Sequence, residues 1–116
     1  MTALHMACFK GNYKTLDELI KIGADYRKLT KTNQNVLHVA AQGGRLEAFI
    51  FFEALVDINS LDSKNSTPLH WACFMGDELI ISYLLTRPNI KIDEMDHNQQ
   101  TPLHLATSYG FTKIVK

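Results

Sequence analysis

Thr-Pro-Leu-His, the sequence of Thr67–His70, occurs again at Thr101–His104, and looser copies begin at Thr2 and Asn35. The histidines of the four copies are separated by 33, 32 and 34 residues. Self-similarity at a fixed period of this length is typical of repeat proteins. Because a unit of this size cannot bury its own apolar side chains, the copies must stack on one another to form a continuous core.

Each copy continues as a short helix that is predicted to end at a glycine. That glycine stands six residues after the histidine, at Gly11, Gly44, Gly76 and Gly110, and it adopts the left-handed backbone of a helix end without steric cost. In the third and fourth copies, a threonine can cap the helix start and a proline suits the first turn. An apolar segment with helical spacing follows each of the first three glycines. Each unit therefore reads as a turn, a helix, a turn and a second helix.

This pattern resembles ankyrin repeats, in which Thr-Pro-Leu-His-x-Ala-Ala-x-x-Gly precedes a second helix with Leu-Leu, a Gly-Ala-Asp-x-Asn turn and an Asp-x-x-Gly hairpin. The resemblance covers nearly the whole chain and implies an all-α solenoid of about three and a half helix-turn-helix units with short hairpin loops. We assign the units approximately to residues 1–31, 32–63, 64–97 and 98–116 of one ankyrin repeat domain. We also expect the chain to be a fragment of a longer protein.

The hairpins depart from the ankyrin pattern at one position. The hairpin glycine is replaced by Asn33, Asn65 and Gln99. Asparagine tolerates a left-handed backbone better than glutamine does. The third hairpin is therefore the one most open to a different shape.

The composition is that of an ordinary globular domain, with 116 residues, 46% of them hydrophobic, and a net charge of zero. No apolar stretch approaches the roughly 18 residues of a membrane span, and no basic stripe with interleaved aromatics indicates nucleic-acid binding. Residues 1–31 carry six basic and three acidic side chains, whereas residues 67–100 carry two and five. This asymmetry can steer a dipolar partner, although a solvated surface with uneven charge explains it more simply.

The cysteines and histidines are the residues most suggestive of chemistry, and the repeat explains both. Zinc needs its ligands at about 2.0–2.3 Å, whereas histidines of stacked repeats stand a helix-packing distance of roughly 8–10 Å apart. We expect these histidines to bond turn backbone and to tie one unit to the next, with no metal and no cofactor. Cys8 and Cys73 each follow a histidine by three residues, but Ala41 and Thr107 fill the same slot in the other copies. We therefore predict no catalytic residue and no enzyme activity for this fragment.

The two cysteines also bear on location. They sit two repeats apart, which is too distant for a disulfide. Their use as small core residues favours a reducing compartment. We expect a cytoplasmic protein, or one on the cytosolic face of a membrane if the parent is membrane-bound.

The resemblance places a binding surface on the concave face, which the hairpin tips and the first helices form. In ankyrin repeats, the two positions before the helix-ending glycine point towards that groove. Here they hold Phe9 and Lys10, Gln42 and Gly43, Phe74 and Met75, and Ser108 and Tyr109. Exposed aromatics on a concave surface are typical of binding sites, and burial beneath the turns is the alternative.

Trp71 follows His70 in a slot that is apolar in every copy, and its indole N–H needs a partner. The hairpins around Lys31, Lys64 and His97 would supply polar contacts. The predicted partner-binding residues are Phe9, Lys10, Gln42, Trp71, Phe74, Met75, Tyr109, Lys31, Lys64 and His97. We expect the ligand to be a protein or peptide, and we expect a monomer without direct membrane contact.

Two other hypotheses remain. Residues 65–72 also resemble the ankyrin segment of some DHHC-type palmitoyltransferases, where a tryptophan at the place of Trp71 helps to hold a substrate peptide. The chain would then be the substrate-recruiting arm of a membrane enzyme. Alternatively, it is a structural spacer in a larger scaffold or channel, which predicts that the groove aromatics are hidden.

Overall fold

The computed structural model describes residues 2–108, which form seven α-helices and contain no β-strand. The helices are α1 (Ala3–Lys10), α2 (Tyr13–Lys21), α3 (Val36–Gly43), α4 (Leu46–Glu53), α5 (Pro68–Met75), α6 (Glu78–Leu85) and α7 (Pro102–Ser108). The molecule is elongated, with principal extents of 42 × 25 × 24 Å. The predicted all-α repeat solenoid is confirmed. In this part of the chain, no helix is both long enough and apolar enough to span a bilayer.

The helices form two rows. The first helices of the units (α1, α3, α5 and α7) pack side by side, and α2, α4 and α6 each pack behind the first helix of their own unit. The core lies between the rows, and its largest fully buried side chains include Phe49, Phe52, Leu37, Ile80 and Leu84. Burying one such side chain contributes about 1.5–3 kcal/mol. Stability therefore depends on contacts between units.

The helix ends follow the sequence signals. Thr67 caps α5, as predicted, and its hydroxyl accepts the N–H of His70 at 3.2 Å. Thr2 and Asn35 cap α1 and α3 in the same way. The glycines that follow α1, α3 and α5 have φ angles of 71°, 68° and 73°, which confirms the predicted left-handed ends. Gly110 lies outside the described residues.

The imidazoles of His38 and His70 link their units to the next one, and that of His5 links α1 to the turn at Lys28 in its own unit. In each ring, Nδ1 accepts the backbone N–H of the capping residue at 3.0–3.2 Å. The proton is thereby assigned to Nε2, which donates to a carbonyl of the following turn. The acceptors are Lys28, Ser66 and Gln100, at 3.1, 2.9 and 2.9 Å. The predicted link between units is confirmed for His38 and His70, and all three rings are almost wholly buried.

Burial also fixes the protonation state of two of these rings. Desolvation lowers the pKa of His5 and of His38, and the backbone hydrogen bonds offset it only in part. A neutral ring is the form that can accept at Nδ1 and donate at Nε2. Both histidines therefore have a structural role, His5 within the first unit and His38 between the second and third.

The three hairpins have the same backbone shape. Asn33, Asn65 and Gln99 all lie in the left-handed region, with φ of 61°, 60° and 60°. The glutamine hairpin therefore does not depart from the other two. Adjacent hairpins are joined directly, because Ser63 N–H donates to the Thr32 carbonyl at 2.9 Å and His97 N–H donates to the Lys64 carbonyl at 2.7 Å.

Candidate protein-binding site

A cleft of about 240 Å³ opens between the second and third hairpins, in front of α5 and α7. One wall consists of hairpin residues, namely Lys64, Ser66, Asp96, Asn98 and Gln100. The opposite wall consists of helix residues, namely His70, Trp71, Phe74 and Leu105. Polar groups thus face an apolar, largely aromatic surface across a space open to solvent, an arrangement suited to ligand binding.

Trp71 is held in place by a buried carboxylate. Its indole N–H donates to Oδ2 of Asp62 at 2.9 Å, and its ring meets that of Phe74 edge to face, with centroids 5.7 Å apart. Burial would raise the pKa of Asp62, but hydrogen bonds from Trp71 and from the backbone N–H groups of Ser66 and Lys64 hold it below its ordinary value. The indole is therefore fixed against a charged group, and Trp71 also lines the cleft.

Three of the side chains predicted to bind a partner, two phenylalanines and a methionine, are exposed. Phe74 and Met75 are 44% and 51% exposed, and Phe9 is 41% exposed. The alternative, burial beneath the turns, therefore does not hold for these three side chains. Trp71 is half-buried, as its hydrogen bond to Asp62 requires.

The cleft brings together only part of the predicted set. Lys64, Trp71 and Phe74 line it. Lys10, Lys31 and His97 are exposed and Gln42 is half-buried, but these residues, with Phe9 and Met75, lie outside the cleft walls. Tyr109 lies outside the described residues.

The second unit has no anchor at the slot of Met75, for a packing reason. Gly43 fills that slot, and a Cβ added there would lie 2.3 Å from the carbonyl oxygen of Phe9. Arg45 donates its Nε–H to the same carbonyl at 3.1 Å. The first two units therefore close on each other at this point, whereas the third displays its side chains.

Several cleft residues were not predicted from the sequence. Asp96, Asn98 and Leu105 line the cleft, and Asp62 positions Trp71. The sequence does place an aspartate at equivalent positions of the second and third hairpins. The hairpin pattern alone explains these aspartates, so they did not indicate a binding site. Whether these residues face α5 and α7 depends on how the units stack, and a local sequence pattern does not contain that information.

Two kinds of side chain suggested chemistry in the sequence, the histidines and the cysteines. Residues 2–108 contain no group of three or more histidine, cysteine, aspartate or glutamate side chains placed to hold a metal. Burial raises the pKa of Cys8 and of Cys73 to about 12. Both thiols are thus protonated at neutral pH, and a protonated thiol is a poor nucleophile.

Family models support the fold independently. A model of ankyrin repeats in three copies matches residues 49–116, and a model of ankyrin repeats in many copies matches residues 4–53. The chain belongs to the ankyrin-repeat family. Ankyrin repeats generally act as protein-interaction modules without catalytic activity, so the predicted family and its general role are confirmed.

Curated proteins with similar segments differ widely in kind. An ankyrin repeat-containing protein of Schizosaccharomyces pombe is 51% identical over 39 residues, which are 34% of this chain and 17% of that protein. Palmitoyltransferase ZDHHC13 of Pongo abelii is 38% identical over 78 residues, 65% of this chain and 12% of the relative. Transient receptor potential cation channel subfamily A member 1 of Homo sapiens is 29% identical over 119 residues, 99% of this chain and 10% of the channel. The chain thus spans only a small part of each.

Proposed function

We propose that this chain binds an extended segment or loop of another protein in a groove at Trp71, Phe74 and Met75; Tyr109, which was predicted to belong to it, lies outside the described residues. The observation that carries the proposal is the exposure of Phe74 and Met75 beside a cleft that Trp71 lines. Aromatic and methionine side chains are enriched at protein interfaces, and aromatic anchors dominate their energetics. The hairpin tips at Lys31, Lys64 and His97 supply polar contacts.

The proposal also covers the oligomeric state, the chemistry and the location of the chain. The fragment acts as a monomeric binding module without catalysis, nucleic acid or direct membrane contact. Its two buried, unpaired cysteines fit a reducing compartment. We therefore place it in the cytoplasm or on the cytosolic face of a membrane.

The groove is tested with the double substitution Phe74→Ala and Met75→Ala. Both side chains are exposed, so their loss should leave the fold intact. Proteins captured from a cell extract by the whole chain are quantified by mass spectrometry. We expect at least one specific partner to fall about tenfold or more, because removal of a hot-spot anchor costs about 2 kcal/mol or more and each 1.4 kcal/mol is about tenfold in affinity.

Leu79→Ala provides the matched control. Leu79 is 69% exposed on α6, in the second row of helices, so its loss removes exposed apolar area away from the groove. All specific partners should be retained by this variant. If the double variant leaves every captured partner undiminished, the groove assignment is wrong.

A second candidate function is substrate recruitment for a palmitoyltransferase. Two observations favour it: Trp71 stands at the cleft, and the similarity to palmitoyltransferase ZDHHC13 covers 65% of the chain. The parent sequence decides this, since the hypothesis requires an Asp-His-His-Cys domain and membrane spans. The spacer hypothesis required hidden groove aromatics, and the exposure of Phe74 and Met75 counts against it.

A further inference from the structure

Asp62 and Asp96 occupy the same place in the second and third hairpins but use their carboxylates differently. In both, Oδ1 accepts the backbone N–H groups of the residues two and four positions further on, at 2.9 Å. Oδ2 of Asp62 also accepts the Trp71 indole N–H at 2.9 Å. In the next unit, the slot of Trp71 holds Leu105, which has no side-chain donor. Among residues 2–108, no donor reaches Oδ2 of Asp96.

This carboxylate shares its cleft with a cation to which it is not paired. Asp96 is half-buried and Lys64 is exposed, and both line the hairpin wall of the cleft. The ion pairs within residues 2–108 lie elsewhere, at Asp17–Lys21, Asp25–Arg27 and Glu53–Arg87. The cleft therefore presents an anionic and a cationic group separately, on neighbouring hairpins, opposite Trp71 and Phe74.

The charges near the hairpins follow the same order along the chain, basic first and acidic later. Basic side chains cluster near the first hairpin (Arg27, Lys28 and Lys31) and acidic ones near the third (Asp93, Glu94 and Asp96). The hairpins form one continuous row, joined by the backbone bonds of Ser63 to Thr32 and of His97 to Lys64. A segment lying along this row passes from a basic to an acidic environment.

We propose that the cleft is a subsite for a dipolar peptide segment of the partner. An apolar side chain packs on Trp71 and Phe74, a basic side chain beyond it binds Asp96, and an acidic side chain on the other flank binds Lys64. The inference rests on the proposed function and specifies its ligand. Charges at the rim of an interface govern the choice and orientation of partners more than total affinity, so Asp96 and Lys64 act here as specificity residues.

The test uses peptide selection on the folded chain. A display library of short random peptides is selected against the wild-type chain, and the enriched peptides are sequenced. We expect enriched peptides to carry an apolar centre with an acidic side chain on one flank and a basic one on the other. Selection on Asp96→Asn should lose the basic preference, and selection on Lys64→Glu should replace the acidic preference with a basic one.

The substitutions are chosen to keep the hairpins intact. Asp96→Asn retains an Oδ1 acceptor for the two backbone N–H groups, and Lys64 has an exposed side chain. Asp17→Lys on α2 serves as the charge control and should leave the selected motif unchanged. A peptide selected on the wild type should bind each cleft variant about fivefold more weakly, the size of an exposed ion pair.

The outcomes separate the two proposals. If the enriched peptides depend on Phe74 and Met75 but show no charge separation, or keep their motif on both variants, the groove stands and the dipolar subsite is wrong. If the enriched peptides bind the Phe74→Ala, Met75→Ala variant as well as the wild type, the proposed function fails, and the subsite with it. Absence of any enriched peptide overturns both.

Discussion

α3 and α5, the first helices of the second and third units, have the same shape but differ in how far their side chains are exposed at the concave face. In α3, residues 36–41 are all buried, and Gly43 lies against the Phe9 carbonyl. In α5, Trp71 is half-buried and Phe74 and Met75 are exposed. A repeat scaffold thus uses equivalent slots either to close on a neighbour or to display side chains. Under the proposed function, we expect the third unit to contribute more to recognition than the second.

The largest expected effect comes from giving the second unit the side chain of the third. Gly43→Met places a Cβ 2.3 Å from a backbone oxygen, and a backbone atom cannot rotate aside. We expect a loss of about 3 kcal/mol in the free energy of unfolding, as for an overpacked core. This loss is measured as a lower midpoint of urea unfolding, with the slope of the transition unchanged.

Met75→Ala is the reciprocal control, because the same slot in α5 is open. It should change the free energy of unfolding by less than about 0.5 kcal/mol. A Gly43→Met variant as stable as the wild type would show that the first two units can separate at this point, and the contrast between α3 and α5 would then be lost.

A smaller effect is expected from the bond that orients the third unit's tryptophan. Trp71→Phe removes the indole N–H that Oδ2 of Asp62 accepts at 2.9 Å, and it should cost about 2 kcal/mol at neutral pH, since hydrogen bonds to charged groups are among the stronger ones. Because the pKa of Asp62 is lowered in the folded state, its contribution is complete above the unfolded pKa of about 3.9 and is lost as the pH falls through the folded value.

A double-mutant cycle with Asp62→Asn isolates this bond. The coupling between Trp71 and Asp62, measured by urea unfolding, should be present at neutral pH and decrease in acid below about pH 4. Phe74→Ala is the control, because that ring contacts Trp71 but has no acid dependence of its own. A coupling that does not change on acidification would mean that the indole does not act through the carboxylate.

The interior of the second unit should respond to pH closer to neutrality. Burial lowers the pKa of His38 in the folded state, so the unfolded chain takes up the proton first. Its contribution is complete above the unfolded pKa of about 6.5 and is lost below it, by at most about 1.4 kcal/mol per pH unit. His38→Gln should flatten the fall in unfolding free energy on mild acidification. His104→Gln, at an exposed ring, is the control, and an equal effect of both would contradict the assignment.

Local signals in the sequence predicted most of the fold. The caps at Thr67 and Thr101, the glycine helix ends and the histidine period each depend on residues within one unit, and the structure follows them. The exposure of Phe74 and Met75 was one of two alternatives that the sequence left open, and the structure decides between them. The family pattern, and not any single motif, supplied the concave face.

The cleft itself could not be predicted, because it depends on how closely successive units approach. The contact of Gly43 with Phe9 joins residues 34 positions apart, and the opposed walls of the cleft come from two units. Asp62 and Asp96 occupy equivalent hairpin positions, but the donors to Oδ2 differ. Asp62 accepts from the Trp71 indole and from the Gln34 amide of the preceding hairpin, whereas the tryptophan slot after Asp96 holds Leu105.

The smallest effect compares the hairpins of the two units directly. Gln99 and Asn65 both have φ near 60°, a conformation that costs an L-residue about 1–2 kcal/mol and asparagine less than most. Gln99→Gly should therefore raise the free energy of unfolding by about 0.5–1 kcal/mol after the entropy cost of glycine, and Asn65→Gly by less. Both changes in unfolding free energy are obtained from the midpoint of urea unfolding, and the prediction is that Gln99→Gly stabilises the chain more than Asn65→Gly does. If Asn65→Gly stabilises as much as Gln99→Gly, the strain belongs to the turn as a whole and not to the glutamine.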